Sequence, residues 1–361
     1  MTAYALFTNV ENPFQDTARA FREMVETVRH AERLGFEQAW VTEHHFNPFS
    51  ISASLFPVLA HLAARTERIG LGAGAALLPL HDPVRMAEDI ATVDALSEGR
   101  LLLGVARGGP FPDQFRHFHV APEQSRARLF EALELIERAL ADAPVDYRGE
   151  HYSYQDLSLF PRPIRARLPV WLASLAHESV ALAAGKNYGL MAPSAASLES
   201  VRGAMETFRR LGGTSPLVVS RYFFCHPDRR RAREEAAPFI RDFARNMRVA
   251  IASAPARGES PLAFGLPATA YEEDALLAKA VVGDVGECIE QCEAIADALG
   301  EHVLMLKPAS YDAASSREAL TLFAERVRPA LRSHESLSPV SFSSFTPSQG
   351  ESPCAKALPN P

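Results

Sequence analysis

Long apolar runs and any excess of basic residues are missing from this sequence. No stretch reaches 18 uninterrupted apolar residues, and the first residues, MTAYALFTNV, lack the basic and apolar regions of a secretory signal. The formal net charge of -7 at pH 7 and the pI of about 6.0 give no sign of binding to nucleic acid or membranes. The one dense basic run, RRRAR at 229–233, directly precedes Glu234 and Glu235, which favours a solvated helix surface. We therefore expect a cytoplasmic protein that binds neither nucleic acid nor membrane.

Cysteine is scarce, with four residues in 361. Cys288 and Cys292 lie four residues apart on a predicted helix, and no further Cys or His follows at the spacing of a zinc site. This pattern favours small buried residues with reduced thiols over a metal site. No metal is predicted.

Short apolar runs that alternate with longer amphipathic stretches dominate the chain, and 47% hydrophobic residues suffice for a large core. The runs are typical of parallel strands covered on both faces. They lie at 4–8, 38–42, 69–74, 101–106, 169–174, 188–193, 217–225 and 302–308. Predicted helices lie at 16–35, 82–99, 122–142, 178–186, 197–211, 228–246, 285–299 and 315–332. The alternation predicts an α/β fold, a (β/α)8 TIM barrel over residues 1–332, with a doubly wound open sheet as the competing topology.

Three stretches depart from this alternation. Residues 142–168 are too long for a simple connection and suggest a short hairpin, and 245–282 form a second long connection. From residue 333 the chain is rich in Ser and Pro, so 333–361 are predicted to be a disordered tail.

Titratable residues follow the second predicted strand, where Glu43, His44 and His45 stand in sequence. In a barrel the active site lies at the carboxyl ends of the strands. A histidine there can act as an acid, a base or a hydrogen-bond donor, although an imidazole bonded to the backbone or to Glu43 is the structural alternative. Glu43 is expected to orient a histidine or a ring nitrogen of a ligand. A metal site is disfavoured because adjacent residues of an extended chain point to opposite faces.

Glycines and cations follow the next strands. The spacing of Gly70, Gly72 and Gly74 does not match a dinucleotide-binding loop, and glycine here favours close approach of a flat ligand. Arg107 ends the fourth strand between small residues and can bind a phosphate, with an ion pair to a carboxylate as the alternative. Ser174 and Ser179 stand at a helix start, which can add to an anion site or simply cap the helix.

The chain resembles the bacterial luciferase family of flavin-dependent monooxygenases, close to its catalytic α subunit. Three stretches carry the resemblance: EHHF, GLGAGAALLPLHDPVRMAEDIATVDALSEGRLLLGVARG and DQFRHFHV. The resemblance continues more thinly to about residue 330. It implies a (β/α)8 barrel that binds reduced FMN, adds O2 and transfers one oxygen atom to an organic substrate or an aldehyde. It further implies a separate flavin reductase that delivers the FMN, and a homodimer.

The resemblance also implies roles for individual residues. His44 matches the family's catalytic base and His45 its neighbour near the flavin, while Gly74-Ala75 falls where the family has a non-proline cis peptide under the flavin ring. Arg107 matches the arginine that holds the FMN phosphate. Ser174, Leu175 and Ser179 match the positions whose backbone amides and hydroxyl also bind the FMN phosphate in the family.

Two departures qualify the resemblance. Ala106 stands beside the flavin where the light-emitting subunit has a cysteine, which argues against light emission, and the loop GGPFPDQF has one extra residue on the substrate side. Phe46, Phe49, Phe111 and Phe115 are candidates either for that side or for core packing. Two alternatives share the fold: an oxidoreductase that transfers a hydride with a deazaflavin, and a non-catalytic flavin-binding subunit.

Overall fold

The computed structural model describes residues 3–47, 50–141, 144–165, 167–253 and 266–332. The predicted tail at 333–361 lies outside the described residues, and so does Phe49. The described strands are β1 Ala3–Thr8, β2 Gln38–Val41, β3 Gly70–Ala76, β4 Leu101–Val105, β5 Val145–Arg148, β6 Ser153–Leu157, β7 Val170–Leu172, β8 Gly189–Ala192, β9 Leu217–Cys225, β10 Val281–Gly283 and β11 His302–Pro308.

Eight parallel strands close into a barrel in the order β1-β2-β3-β4-β7-β8-β9-β11. The closing pair is β1 with β11, in which Ala3 faces Val303 and Leu6 faces Leu306. This pairing confirms the predicted barrel and rules out the open doubly wound sheet. All eight predicted strands are present, and the predicted hairpin is formed by the antiparallel pair β5 and β6.

Helices cover the outside of the barrel. They are α1 Thr17–Arg33, α2 Leu55–Ala63, α3 Pro83–Leu96, α4 Pro112–His117, α5 Ser125–Ala139, α6 His177–Lys186, α7 Leu198–Arg210, α8 Arg229–Ser253, α9 Glu273–Leu277, α10 Val285–Leu299 and α11 Ala313–Leu322. Asp16 and Asp82 cap α1 and α3 through their side chains, as the sequence predicts. Cys288 and Cys292 are buried on α10, as predicted. No helix in the described part of the chain is long and apolar enough to cross a membrane.

The sequence prediction missed four short elements. The three-residue strand β10 pairs with the carboxyl end of β9, and α2, α4 and α9 are also absent from the prediction. The helix predicted to start at 122 begins at Ser125 after a 3-10 turn, and the one predicted to run to 332 leaves α-helical geometry after Leu322. Elements this short contain too few residues to display a period, so their formation depends on contacts made in the folded barrel.

Two tryptophans fill the barrel interior. The rings of Trp40 and Trp171 meet edge to face with centroids 5.4 Å apart, and both are almost completely buried. A Cβ at Gly72 would overlap the indole of Trp40, so this glycine makes room for a side chain rather than for a ligand. The sequence interpretation of Gly72 as a ligand-approach residue is therefore wrong.

The next layer toward the carboxyl ends of the strands is asymmetric. Side chains alternate along each strand, so the residues two positions beyond the interior layer also face inward. On β3 and β4 this layer contains only small residues at Gly74 and Ala106, whereas Phe7, Lys307 and Tyr222 stand on β1, β11 and β9. The difference in side-chain size leaves a cavity above the indoles.

A buried ion pair joins the connection before β7 to α3 and β4. Asp94 is inaccessible to solvent and accepts hydrogen bonds from Nε of Arg165 at 2.9 Å and from the backbone N–H of Ile164 at 3.0 Å. Arg165 also donates to the carbonyl of Leu101 at the start of β4. Removal of the carboxylate would leave a guanidinium buried without its charge partner.

We predict that Asp94→Ala lowers the free energy of unfolding by about 3–5 kcal/mol, because it breaks a buried ion pair. Urea denaturation followed by circular dichroism measures this change. The matched control is Glu26→Ala, which breaks the exposed pair of Glu26 with Arg29 and is expected to change stability by less than about 0.5 kcal/mol. Equal effects of the two substitutions would contradict the structural role of Asp94.

Candidate active site

A cavity opens at the carboxyl ends of the barrel strands. Five of the eight barrel strands and α8 contribute residues to its lining. Thr42, Ala106 and Ala173, which directly follow the other three strands, line it as well. Its lining includes Phe7, Asn9, Thr42, Glu43, His44, Gly74, Ala75, Leu77, Ala106, Phe111, Gln114, Ala173, Met191, Ser220, Tyr222, Phe243, Met247, Tyr271, Met305 and Lys307. Most of this lining is apolar, so the polar groups that face the cavity stand in a site with little water.

One buried carboxylate connects three segments at the cavity edge. Oε1 of Glu43 accepts a hydrogen bond from Nε2 of His45 at 2.7 Å and from Nε2 of His81 at 2.6 Å. Oε2 of Glu43 accepts from the backbone N–H of Leu77 at 3.0 Å. Burial alone would raise the pKa of Glu43, but these hydrogen bonds outweigh it and lower the pKa to about 2. Glu43 is therefore an ionised acceptor that fixes both imidazoles with Nε2 protonated.

In the part of the chain that the structure describes, these same three side chains are close enough together to bind one metal ion. One atom each from Glu43, His45 and His81 lie within 4.8 Å of one another. Both imidazoles are already bonded to the same carboxylate oxygen. Hydrogen bonds thus satisfy the cluster as it stands, and a metal would have to displace the two N–H protons.

His44 also lines the cavity. Its backbone N–H donates to the carbonyl of Ser52 at 3.2 Å, and its ring meets Phe111 edge to face at 5.8 Å between centroids. Burial lowers the pKa of His44 to about 4, and the positive charge of Lys307 adds to this effect. At neutral pH the imidazole is uncharged and holds one N–H donor and one acceptor nitrogen.

Small residues form one wall of this cavity. The Gly74-Ala75 peptide bond is cis, which confirms the predicted cis position. Ala75 and Ala106 pack together in one buried cluster, and Ala173, which directly follows β7, packs against it. A planar ring system could lie against this wall, because no side chain larger than a methyl group projects from these four positions.

Arg107 provides a cation just beyond this wall. Its guanidinium donates to Oγ of Ser125 at 3.4 Å, and no carboxylate among the described residues forms an ion pair with it. Burial and the nearby Arg126 lower the pKa of Arg107. The alternative of an ion pair is therefore not observed, and the chemistry of the site suits an anion.

The start of α6 is linked by an ion pair to the start of α5, where Ser125 contacts Arg107. Arg126, the neighbour of Ser125, forms an ion pair at 2.9 Å with Glu178 in the first turn of α6. Oγ of Ser174 accepts a hydrogen bond from the N–H of Ala176 at 3.2 Å, but Ala176 is itself the N-cap of α6 and no side chain caps this helix. Leu175 is half-buried, and Ser179 is buried in the first turn of α6.

The cavity brings together five of the residues singled out from the sequence and leaves the others around it. Glu43, His44, Gly74, Ala75 and Ala106 line it, whereas His45, Arg107, Ser174, Leu175 and Ser179 are not part of the lining. Among the aromatic candidates, Phe111 lines the cavity, Phe115 is packed in the core and Phe46 is exposed.

Sequence reasoning missed three residues of the site. His81 precedes the cap of α3, and nothing local indicates that it meets Glu43. Lys307 carried a usable signal, because a lysine at the end of the apolar run HVLMLKP is the same pattern that singled out Glu43 and Arg107. Tyr222 lies within a continuously apolar strand, where an aromatic residue is typical of core packing.

The sequence has clear relatives. The family model described as luciferase-like monooxygenase matches residues 2–302. The chain is 33% identical over 214 residues to the uncharacterized protein y4wF of Sinorhizobium fredii, covering 59% of this chain and 62% of that protein. It is 36% identical over 148 residues to limonene 1,2-monooxygenase of Rhodococcus erythropolis, covering 41% and 38%. The oxygenase component of flavin-dependent trigonelline monooxygenase from Acinetobacter baylyi is 29% identical over 178 residues, covering 47% and 48%. The matches thus span less than two thirds of these relatives.

Solved structures share the whole barrel. The monooxygenase RslO1 from Streptomyces bottropensis superposes with a TM-score of 0.78 at 25% identity, covering 91% of this chain and 99% of that chain. The oxygenating constituent of 3,6-diketocamphane monooxygenase from Pseudomonas putida, in complex with FMN, gives 0.75 at 18% identity, covering 92% and 99%. A coenzyme F420-dependent tetrahydromethanopterin reductase from Methanopyrus kandleri gives 0.68 at 20% identity, covering 92% and 99%. The last two likenesses concern the fold alone.

We predict that His44 stays uncharged throughout the neutral range. Its pKa in the folded chain is lowered to about 4 from the ordinary 6.5, so the unfolded chain takes up a proton first as the pH falls. The free energy of unfolding therefore decreases as the pH drops from about 6.5 to about 4. Ring ¹⁵N chemical shifts recorded from pH 4 to 8 measure this protonation, with His44→Gln to assign the signal. A ring that titrates near its ordinary value would contradict burial of His44.

Proposed function

Because the chain belongs to the luciferase-like monooxygenase family, we propose that it is a monooxygenase that binds reduced FMN at the barrel mouth. With O2 it oxidises a small organic molecule. One observation carries the proposal: the neutral imidazole of His44 faces the same cavity as the flat wall at Gly74-Ala75, and an uncompensated guanidinium lies just outside.

The residues present fit a flavin phosphate. In the proposal Arg107 holds the phosphate through a charge-assisted pair of hydrogen bonds. The backbone at Ser174 and Leu175 and the hydroxyl of Ser179 add donors at the start of α6, where the helix dipole also favours an anion. This placement follows the chain order, because Arg107 directly succeeds the cavity residue Ala106, and Ser174 succeeds Ala173.

The residues also fit a planar ring. Gly74, Ala75 and Ala106 would hold the isoalloxazine, since a larger side chain at these positions would occupy its place. Glu43 keeps this wall in position through Leu77, to whose backbone N–H it is bonded. His45 acts in the proposal through Glu43, because its Nε2 donates to that carboxylate and its ring lies outside the cavity lining.

Reduced FMN supplies the electrons with which O2 is activated for transfer of one oxygen atom. His44 manages a proton at the reacting face, since a neutral imidazole can accept one on one nitrogen while it donates from the other. The apolar walls from Phe111, Met191 and Met305 limit the entry of water that would divert the activated oxygen.

The proposal includes a separate reductase as the source of reduced FMN. The trigonelline monooxygenase relative is named as an oxygenase component, which supports this division of labour. A homodimer and a cytoplasmic location remain predictions from the sequence.

We predict that Arg107→Ala weakens the binding of FMN by roughly 1.5–3 kcal/mol, because charge-assisted hydrogen bonds to the phosphate are lost. Quenching of flavin fluorescence measures the dissociation constant. Arg116→Ala is the matched control, since Arg116 is exposed and paired with Asp113. If the two variants bound FMN with equal affinity, Arg107 would not be the residue that binds the phosphate. Riboflavin, which has no phosphate, should bind both variants alike.

We predict that His44→Ala abolishes most monooxygenase turnover while the affinity for FMN stays within about threefold, since general acid-base catalysis contributes a hundredfold or more. Anaerobic titration with reduced FMN and product analysis by mass spectrometry measure the two quantities separately.

Full turnover in His44→Ala would contradict the proposed role of this imidazole. A wild-type chain that binds FMN without turnover would favour the non-catalytic subunit. Binding of a deazaflavin in preference to FMN, with hydride transfer and no consumption of O2, would favour the deazaflavin alternative.

A further inference from the structure

Glu43, His45 and His81 bring three metal-ligand atoms together at the cavity edge. The Nε2 atoms of both imidazoles meet at Oε1 of the carboxylate. We propose that these three side chains bind one divalent ion of the zinc class, through two imidazole nitrogens and one carboxylate oxygen. The site stands apart from the proposed flavin function, because its ligands are argued from their own geometry and chemistry.

The three ligands come from two segments that meet in the folded barrel. Glu43 and His45 follow β2 two positions apart, a spacing at which side chains of an extended segment share a face. Adjacent side chains point to opposite faces, which excludes His44 from the set but not His45. His81 follows β3, 38 positions after Glu43. The set therefore forms only when the ends of β2 and β3 lie side by side.

The distances suit an ion that takes the place of the two shared protons. Nε2 of His45 and Nε2 of His81 lie 2.7 Å and 2.6 Å from Oε1 of Glu43. Ligand atoms that are about 2.0–2.1 Å from a tetrahedral zinc ion lie about 3.3 Å from one another. Each imidazole nitrogen would thus move away from the carboxylate oxygen by less than about 1 Å to admit the ion.

The surroundings orient the carboxylate and leave a path for the ion. Oε2 of Glu43 accepts a hydrogen bond from the N–H of Leu77 at 3.0 Å, so the carboxylate keeps its direction when Oε1 binds the ion. The side chain of His81 is 28% exposed, whereas that of Glu43 is 1% exposed. An ion can enter from the His81 side, and water can complete the fourth position of a site with three protein ligands.

The ligand atoms select the class of ion. Imidazole nitrogens suit zinc and the neighbouring transition metals, whereas magnesium and calcium prefer oxygen ligands. A neutral imidazole that binds the ion through Nε2 carries its single proton on Nδ1. The ring proton therefore moves from one nitrogen to the other, and the two hydrogen bonds to Glu43 are replaced by bonds to the ion.

Titration with zinc tests the inference without flavin or substrate. The full chain is first dialysed against a chelator, and calorimetric titration with ZnCl2 should then show one site per chain. The melting temperature should rise with zinc concentration, because the ion binds the folded chain. MgCl2 should produce neither effect. Ring ¹⁵N chemical shifts should show loss of the Nε2 protons of His45 and His81, which an ion bound elsewhere would leave unchanged.

Glutamine variants locate the site. His81→Gln keeps a side-chain N–H that can donate to Glu43 but removes the imidazole ligand. Its affinity for zinc should fall by more than about a hundredfold, since loss of an outer-shell partner of a metal ligand alone costs about 10–100-fold. His45→Gln should have the same effect and provides a second variant if one of the two does not fold. The matched control is His61→Gln on α2, where the exposed histidine is replaced and wild-type affinity is expected.

Four results would overturn the inference. They are a wild type that does not bind zinc, ring signals of His45 and His81 that stay unchanged in the presence of bound zinc, full zinc affinity in both cluster variants, and loss of affinity in His61→Gln. FMN titration of the same samples separates these results from the proposed function. A chain that binds zinc at the cluster but no FMN would reject the flavin proposal and leave the metal site standing, and the reverse result would do the opposite.

Discussion

The carboxylate of Glu43 accepts hydrogen bonds from three places in the chain, and the barrel mouth depends on this contact. His45 belongs to the same loop as Glu43, Leu77 follows β3 directly, and His81 stands just before α3. A buried carboxylate without hydrogen-bond donors would destabilise the fold, and the two imidazoles and the N–H of Leu77 would lack an acceptor without the carboxylate. The hydrogen bonds therefore hold the three segments in place relative to one another. His44 directly follows Glu43 in the chain, and the cis peptide Gly74-Ala75 lies two residues before Leu77, so both are attached to segments that this carboxylate joins.

Side-chain size decides how the remaining space is divided. The two indoles occupy the barrel interior, and above them small residues on β3, β4 and β7 face larger ones on β1, β9 and β11. A planar cofactor and a substrate can therefore share one cavity without a separate domain for either. The apolar lining also makes each polar group in it more effective, since charges and donors act more strongly where water is scarce.

The sequence predicted the barrel well because its eight buried strands are apolar along their length, a pattern that local reading detects. It also singled out Glu43 and His44, which line the cavity, and Arg107, which directly follows the lining residue Ala106. It did not predict the cluster around His81 or the contact of Lys307 with the ring of Tyr222, because these contacts join strands or loops that are far apart in sequence. Short elements such as α4 were not predicted for a different reason, because six residues are too few to display a helical period.

The central claim is that the barrel mouth binds a flavin between Gly74-Ala75 and His44 with the phosphate at Arg107. A crystal structure of the chain soaked with FMN tests it most directly. The account predicts that the ring lies against the cis peptide and that the guanidinium contacts phosphate oxygens. Flavin bound at any other surface, or a cavity that stays empty while Arg107 points away, would contradict it.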